Sequence, residues 1–216
     1  MAEAKGLDVM TTCATSHAIM CNTAQDMQRD PVYASTVNNL VARTSKVEYS
    51  GESQSWHLLH YLVEEIGLDK VRDAVKNPLK MNIAAYYGPD MQRDGACAGD
   101  DPFMPTYMEQ LIEALGGHPV DYDSKCMSVG STSMLTLEDS SLAMTAAVLS
   151  DAIQSGADLV VSACTISHIN LDSYQSKAGR VSGKRTSVPV CHLAELVAFC
   201  LLYTSDAADD RVCVGL

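Results

Sequence analysis

The chain has 216 residues, enough for one large domain or two small ones, and 47% of them are hydrophobic, so it can bury a substantial core. It carries 27 acidic and 15 basic side chains, and this net charge of −12 argues against binding to the phosphate backbone of a nucleic acid. No apolar run approaches the roughly 20 residues of a membrane span, and the N-terminus lacks the basic start and apolar core of a signal peptide, so we expect a cytoplasmic protein without a membrane span.

The first part of the chain is predicted to form one strand followed by helices. The apolar and β-branched run at 7–12 indicates a buried strand. Helical stretches follow at 17–29 and from Pro31 onward, where a proline suits the first helical turn. The polar segment 49–55 is turn-rich and predicts a linker, and residues 56–67 predict a helix with an apolar stripe that ends at its glycine.

From residue 81 onward, short apolar segments alternate with helical ones. The predicted strands lie at 82–88, 118–122 and 157–163, and the predicted helices lie at 106–117 and 136–156. Thr136 and Asp139 predict a start resembling a capping box for the second of these helices. The acidic pair Glu109 and Glu113, spaced by four residues, is typical of a solvated helix face. This alternation predicts an α/β fold of parallel sheets flanked by helices.

Two similar pentapeptides follow predicted strands. "CATSH" begins at Cys13 and "CTISH" begins at Cys164, and each places a serine three residues and a histidine four residues after its cysteine. In open α/β sheets, ligand sites gather at the carboxyl ends of the strands. The two segments therefore indicate an internal duplication, with cysteines at strand C-terminal ends and a third such end at Gly88.

The eight cysteines leave several kinds of chemistry open, and nothing in the chain points to an oxidising compartment. They can be buried apolar thiols, ligands of a metal or cluster, or redox thiols. The spacing of Cys13 to His17 and of Cys164 to His168 could supply two zinc ligands each. A nucleophilic Cys164, activated by the start of a helix and by His168, is another interpretation.

Five longer segments are the most specific part of the sequence. They are "IGLDKVRDAVKNPLK" (66–80), "AAYYG" (84–88) with Arg93 beyond it, "DDPFMPTYMEQLIEALGGHPVDY" (100–122), "GADLVVSACTISHINLDSYQ" (156–175) and "VPVCHLAELVAF" (188–199). Together they resemble the cysteine-rich domain found in the B subunit of heterodisulfide reductase, a family that also includes related subunits of certain succinate:quinone and thiol:fumarate reductases. The resemblance extends from about Leu7 to Cys200.

The resemblance implies an oxidoreductase subunit. The family carries a motif of one cysteine after a glycine, then Cys-Cys-Gly, then Cys-x-x-Cys (the CCG motif), usually in two copies. Each copy can hold an unusual [4Fe–4S] cluster, and the pair reductively cleaves a disulfide substrate. Some relatives are thought to bind zinc in place of one cluster. Iron–sulfur and flavin subunits of the same complex are the implied partners.

Carried over by position, the family motif is incomplete in this chain. The second copy is occupied by Pro89, by Cys126, Met127 and Ser128, and by Cys164 and Ser167. Its spacing is kept, with 36 residues between Pro89 and Cys126 and 36 between Met127 and Cys164. Of the first copy only the final pair, Cys13 and Ser16, is matched. The resemblance therefore implies cofactor or metal ligands at Cys13, Cys126 and Cys164.

These losses lead to three hypotheses. Each iron–sulfur cluster usually takes four protein cysteines, so we expect a [4Fe–4S] cluster to be incomplete or absent unless Cys97 or Cys21 replaces a missing ligand. The first hypothesis is a redox subunit that transfers electrons to a disulfide or a related acceptor. The second is a cluster-free structural subunit of such a complex. The third is a zinc or thiol site on the remaining cysteines and histidines.

The motif positions also predict the domain organisation. We expect 1–50 to be the remnant of a first cysteine-rich domain, 51–80 a helical connection and 81–200 a second cysteine-rich domain. Residues 201–216 interrupt the last predicted helix and are expected to be a non-native tail. Because the first copy is represented only by its end, we expect the chain to be a fragment of a longer protein.

Overall fold

The computed structural model describes residues 2–202 apart from Lys46, Asp94 and Cys97. Most of the expected tail at 201–216 lies outside the described residues, together with Cys97 and Cys213. The expectations about the tail and about Cys97 as a replacement ligand therefore stay predictions.

A two-stranded parallel sheet is built from the first part of the chain. Strand β1 (Val9–Thr11) leads into helices α1 (Ala14–Arg29) and α2 (Pro31–Ala42), and then β2 (Ser55–His57) pairs with β1. Helix α1 begins three residues earlier than predicted, directly after Cys13. Helix α2 begins as predicted, because the Asp30 carboxylate accepts hydrogen bonds from the two backbone N–H groups that follow Pro31.

The segment after β2 corrects the prediction for residues 49–67. Strand β2 occupies the end of the predicted linker and the start of the predicted helix. The helical part consists of α3 (Leu58–His60), a π-helical segment (Tyr61–Gly67) and α4 (Leu68–Asp73). Gly67 does end one helical segment, but its φ of 85° turns the chain into another helix instead of a loop.

A four-stranded parallel sheet forms the larger part of the molecule. Its strands are β3 (Asn82–Tyr86), β4 (His118–Val120), β5 (Leu159–Ser162) and β6 (Val190–His192), in the order β4-β3-β5-β6. The flanking helices are α5 (Tyr107–Ala114), α6 (Glu138–Gln154), α7 (Thr165–Ser173), α8 (Gln175–Ser182) and α9 (Leu193–Leu201). The predicted class, α/β with parallel sheets flanked by helices, is confirmed.

Apolar side chains cover both faces of the central strands, as a parallel sheet requires. On one face, Ile83 and Val161 pack in a cluster that includes residues of α5 and α9. On the other face, Ala84 and Val160 pack in a cluster with residues of α6. Leu59, from the segment after β2, belongs to the first cluster, so the two sheets share this core.

Two smaller features complete the fold. The predicted capping box of α6 is wrong: Leu137 occupies the N-cap, and no side chain caps this helix. Two acidic residues in its first turn, Glu138 and Asp139, complement the positive end of the helix instead. Within the described residues, none of the helices is long and apolar enough to cross a membrane.

Candidate functional site

Two strand–cysteine–helix segments meet where the two sheets adjoin. Cys13 follows β1 and is the N-cap of α1, and Cys164 follows β5 and is the N-cap of α7. Both cysteines have an extended backbone, with φ and ψ of −117° and 117° at Cys13 and −131° and 117° at Cys164. The Ala14 N–H donates a hydrogen bond of 3.2 Å to the Ala163 carbonyl, which joins the two segments next to their cysteines.

Each of the two cysteine sulfurs contacts the first turn of the helix that follows the other cysteine. The Cys164 Sγ lies 3.4 Å from the Thr15 hydroxyl in the first turn of α1. The Cys13 sulfur interacts with the backbone N–H groups of Thr165 and Ile166 in the first turn of α7. Each sulfur therefore faces the start of the helix that follows the other cysteine.

This environment favours the ionised form of one thiol. Burial alone would raise the pKa of the Cys13 thiol, but hydrogen bonds from Ser16 and from the backbone N–H groups of Thr165 and Ile166 outweigh it and lower the pKa to about 7. Cys13 is partly exposed, whereas Cys164 is only 2% exposed. The two cysteines thus form an outer thiol that ionises readily and an inner one that is shielded from solvent.

Histidines end the strands next to β1 and β5. His57 at the end of β2 and His192 at the end of β6 are both helix N-caps, and the Nδ1 atom of each accepts a backbone N–H at 3.2 Å. His57 Nε2 reaches across and hydrogen-bonds the Ala163 carbonyl at 2.9 Å. His192 Nε2 is buried and has no hydrogen-bond partner among the described residues. Neither histidine was predicted from the sequence as a site residue, although each stands before a leucine at the start of an apolar helix.

The second-copy motif positions surround the Tyr86 hydroxyl at the end of β3. This hydroxyl donates a hydrogen bond of 2.9 Å to the Met127 carbonyl and lies beside the Ser167 side chain. A Cβ atom at Gly88 would lie 3.1 Å from it, and the φ of 69° at this position also favours glycine. The loops that carry Gly88 and Met127 and the start of α7 that carries Ser167 therefore converge, with a tyrosine side chain between them that was not predicted from the sequence.

Cys126 lies beside Gly88 in an environment unlike that of Cys13. The backbone N–H groups of Tyr87 and Gly88 both donate to the carbonyl of Lys125, at 2.9 and 3.2 Å, which holds this loop against the end of β3. Burial raises the pKa of the Cys126 thiol to about 11, so the thiol stays protonated at neutral pH. A protonated thiol is a poor metal ligand and a poor nucleophile.

Glu109 supports this loop, contrary to the expectation of a solvated face. Its carboxylate forms an ion pair of 2.7 Å with Lys125 and accepts a hydrogen bond from the Tyr87 hydroxyl. Each side chain of the ion pair is only 19% exposed. Glu113 is exposed, as the prediction requires. The expectation was wrong for Glu109 because its surroundings come from β3 and from the loop after β4.

The donor set does not fit a [4Fe–4S] cluster. In the second copy, proline, methionine and serine stand at three motif positions, and none of these side chains supplies a thiolate. No group of three or more His, Cys, Asp or Glu side chains is arranged to hold a metal ion in the part of the chain that the structure describes. Within the described residues, the side chains therefore match neither a complete cluster nor a three-ligand zinc site.

The histidines of the two predicted Cys–His pairs contact other side chains. His17 Nδ1 lies 3.3 Å from the Ser55 hydroxyl, and the His17 ring approaches Cys21 Sγ at 3.7 Å instead of Cys13. His168 packs edge-on against His192 with ring centroids 5.8 Å apart, and its Nδ1 has no hydrogen-bond partner among the described residues. The zinc pairs and the Cys164–His168 nucleophile gain no support from this geometry.

His17 belongs to a buried group of three histidines that the sequence analysis also missed. The ring centroids of His17, His57 and His60 lie 5.5 to 5.9 Å apart. Burial and the neighbouring imidazoles lower the pKa of His57 to about 4 and that of His60 to about 3, so both are neutral at pH 7. The spacing of His57 and His60 on one face of "HLLH" was the available signal.

Comparison with known proteins points to one group of redox proteins. A Methanosarcina mazei protein named as the B subunit of ferredoxin:CoB-CoM heterodisulfide reductase is 26% identical over 202 residues, which cover 92% of this chain and 67% of that protein. A Methanosarcina acetivorans protein named as the B subunit of ferredoxin/F(420)H(2)-dependent CoB-CoM heterodisulfide reductase is 26% identical over 95% of this chain and 69% of its own length. A Wolinella succinogenes protein named 8-methylmenaquinol:fumarate reductase membrane anchor subunit is 28% identical over 93% of this chain and 70% of its own length.

The fold also has a match among solved structures. A solved structure described as a hypothetical protein from Helicobacter pylori matches with a TM-score of 0.72 at 11% identity, over 95% of this chain and 37% of that one. This likeness concerns the fold alone. No protein-family profile matches the chain. The similarity to the named subunits extends over more than nine tenths of the chain, and proteins named as B subunits of heterodisulfide reductase are therefore homologues of this chain.

Proposed function

We propose that this chain is the subunit of a heterodisulfide reductase-like complex that delivers electrons to a disulfide or a related acceptor. One observation carries the proposal: Cys13 and Cys164 meet at the carboxyl ends of two parallel strands, each sulfur facing a helix start. Such a place favours anionic sulfur and gathers ligand-binding loops. Exposed residues, Thr12 and Ser16 on one side and Thr165 on the other, border Cys13 and leave it open to a substrate.

The proposed partners are iron–sulfur and flavin subunits of the same complex. The names of the relatives support a complex, because each of those proteins is named as a subunit. Electrons would reach this chain from such a partner. No electron-transfer step is assigned to an iron–sulfur cluster within this chain, because its described residues do not supply a complete donor set for one.

A second candidate is a cluster-free structural subunit of the same kind of complex. It is favoured by the replacement of ligands at Pro89, Met127 and Ser167 while the surrounding fold stays intact. In that case the chain would help to assemble the complex without taking part in the redox reaction.

A reduced-viologen assay on the assembled complex separates these candidates. The chain is combined with iron–sulfur and flavin subunits from its own source, and viologen oxidation is followed after addition of a disulfide such as glutathione disulfide or the CoB–CoM heterodisulfide. A redox subunit predicts disulfide-dependent oxidation that falls at least tenfold with Cys13→Ser and stays within twofold with Cys21→Ser. Equal rates for both variants, in a complex that still assembles, would favour the structural subunit.

A further inference from the structure

We propose that Cys13 and Cys164 form a dithiol pair that reduces small-molecule disulfides directly by closing a disulfide between themselves. The inference deepens the proposed disulfide-directed function and rests on it. It assigns to these two cysteines a chemistry that needs no metal, at a place where the donor set does not fit a cluster.

The backbone geometry brings the two cysteines side by side. A disulfide requires Cα atoms within about 7 Å of each other. The Ala14 N–H donates a hydrogen bond of 3.2 Å to the Ala163 carbonyl. Because Ala14 follows Cys13 and Ala163 precedes Cys164, this bond holds the backbones of the two cysteines close together. Both cysteines have the same extended backbone conformation at the start of a helix.

The sulfurs also point toward one another's segment. Cys164 Sγ contacts Thr15, two residues after Cys13, and the Cys13 sulfur interacts with Thr165, the residue after Cys164. Cys21 contacts the His17 ring instead. Cys191 and Cys200 belong to the same apolar cluster as Cys164, the cluster against which Cys13 packs.

The difference in exposure assigns the order of events. Cys13 is partly exposed and can meet an external disulfide, whereas Cys164 is 2% exposed and cannot. The Cys13 sulfur attacks one sulfur of the substrate RS–SR, which forms a mixed disulfide and releases the first RSH. The Cys164 sulfur then attacks the Cys13 sulfur, closes the protein disulfide and releases the second RSH. Two electrons and the two thiol protons have then passed to the substrate, and an external dithiol reductant or a partner subunit restores the pair.

Peptide mapping of the isolated chain tests the pair. The reduced, chelator-treated chain is incubated anaerobically with glutathione disulfide, alkylated and cleaved with trypsin without reduction. Cleavage after Lys5, Arg29, Lys125 and Lys177 places Cys13 in peptide 6–29 and Cys164 in peptide 126–177. We expect these two peptides to be joined, with release of two glutathione molecules per chain, and the join to be reversed by dithiothreitol.

Matched variants identify the two sulfurs, because peptide 6–29 also contains Cys21 and peptide 126–177 also contains Cys126. The joined peptide should fall at least tenfold in Cys13→Ser and in Cys164→Ser and stay within twofold in Cys21→Ser and in Cys126→Ser. Loss of the link in Cys126→Ser, or a stable glutathione adduct on Cys13 without a link in the unmodified chain, would overturn the pair.

The peptide mapping and the viologen assay together distinguish failure of the dithiol mechanism from failure of the proposed function. A Cys13–Cys164 link in a chain whose complex shows no disulfide-dependent viologen oxidation would contradict only the proposed function. An active complex whose isolated chain never forms the link would contradict only the dithiol mechanism.

Discussion

Two regions of the molecule repeat the same local arrangement in different surroundings. We call β1, α1, β2 and α3 unit one, and β5, α7, β6 and α9 unit two. In each, a cysteine follows the first strand and occupies the N-cap position of a helix, and a histidine ends the parallel partner strand and caps another helix with its side chain. The registers also agree, since Thr11 is paired with His57 and Ser162 with His192.

The units differ in what covers their first strand. Strand β5 lies between β3 and β6, and all four of its residues are buried. Strand β1 pairs only with β2 among the described residues, and Met10 within it is 48% exposed. The strand–cysteine–helix geometry is nevertheless the same in both. Short-range backbone preferences are therefore sufficient to place the cysteine, whereas the wider sheet determines how deeply its strand is buried.

The first prediction asks whether unit two and the loops beside it, after β3 and after β4, can hold a cluster once the motif cysteines are restored. Changing Pro89, Met127 and Ser167 to Cys, together with Ser128→Gly, should allow anaerobic reconstitution with iron and sulfide to yield up to about four irons per chain, with broad absorption near ~400 nm. The physical reason is that Gly88, Met127 and Ser167, at or beside these positions, already converge around the Tyr86 hydroxyl. The unmodified chain is expected to bind far less iron.

The control applies the same treatment to unit one. Ser16→Cys alone should not produce a cluster, because it restores only one Cys-x-x-Cys pair and leaves the other motif positions of that copy unmatched. About four irons bound by the unmodified chain would show that Cys21, Cys97 or a histidine serves as a ligand. No iron in either variant would show that the converging loops do not form the site.

The second prediction compares equivalent leucines after the capping histidines. Leu193 is fully buried in unit two, whereas Leu58 in unit one is only partly buried. Leu193→Ala should lower the free energy of unfolding by about 3–4 kcal/mol, because a buried leucine leaves a cavity as well as losing its transfer energy. Leu58→Ala should cost about 1–2 kcal/mol. Denaturant unfolding measures both, and equal losses would contradict the difference in burial between the units.

The third prediction concerns the ion pair between Glu109 and Lys125, which lies outside unit two. Glu109→Gln removes the ion pair with Lys125 and weakens the hydrogen bond from the Tyr87 hydroxyl. Because both charged groups are mostly buried, we expect a loss of about 1.5–3 kcal/mol in the free energy of unfolding. The matched change Glu113→Gln, at an exposed position of the same helix, should stay within about 0.5 kcal/mol. If Glu109→Gln leaves the free energy of unfolding unchanged, Glu109 would behave as part of the solvated face that its spacing predicts.

The sequence predicted those features that depend on neighbouring residues. Alternating apolar runs and helical periods predicted the α/β class, and the two pentapeptides located the strand ends at Cys13 and Cys164. Strand β2 was missed because "SWH" is too short to show alternation and follows a polar, turn-rich segment. The contacts of the Cys164 sulfur with α1 and of the Cys13 sulfur with α7 could not be predicted, since they depend on how residues about 150 positions apart pack together.

The last and smallest effect tests the three histidines that distinguish unit one from the His168–His192 pair of unit two. The pKa of His60 is about 3 in the folded chain, against about 6.5 for an unperturbed histidine. Between these values the unfolded chain binds a proton that the folded chain does not, so His60 has no effect above pH 7 and costs stability as the pH falls below 6.5. From pH 7 to pH 5 the resulting loss in the free energy of unfolding is about 2 kcal/mol.

His60→Phe keeps a ring in the core and removes the buried Nδ1 that has no hydrogen-bond partner in the described part of the chain. Urea unfolding at pH 7 and pH 5 should show a loss on acidification that is smaller by about that amount, while the exposed control His118→Gln should retain the full loss. An unchanged acid dependence in His60→Phe would mean that this histidine gains its proton without unfolding, so the group of three would not be rigidly buried.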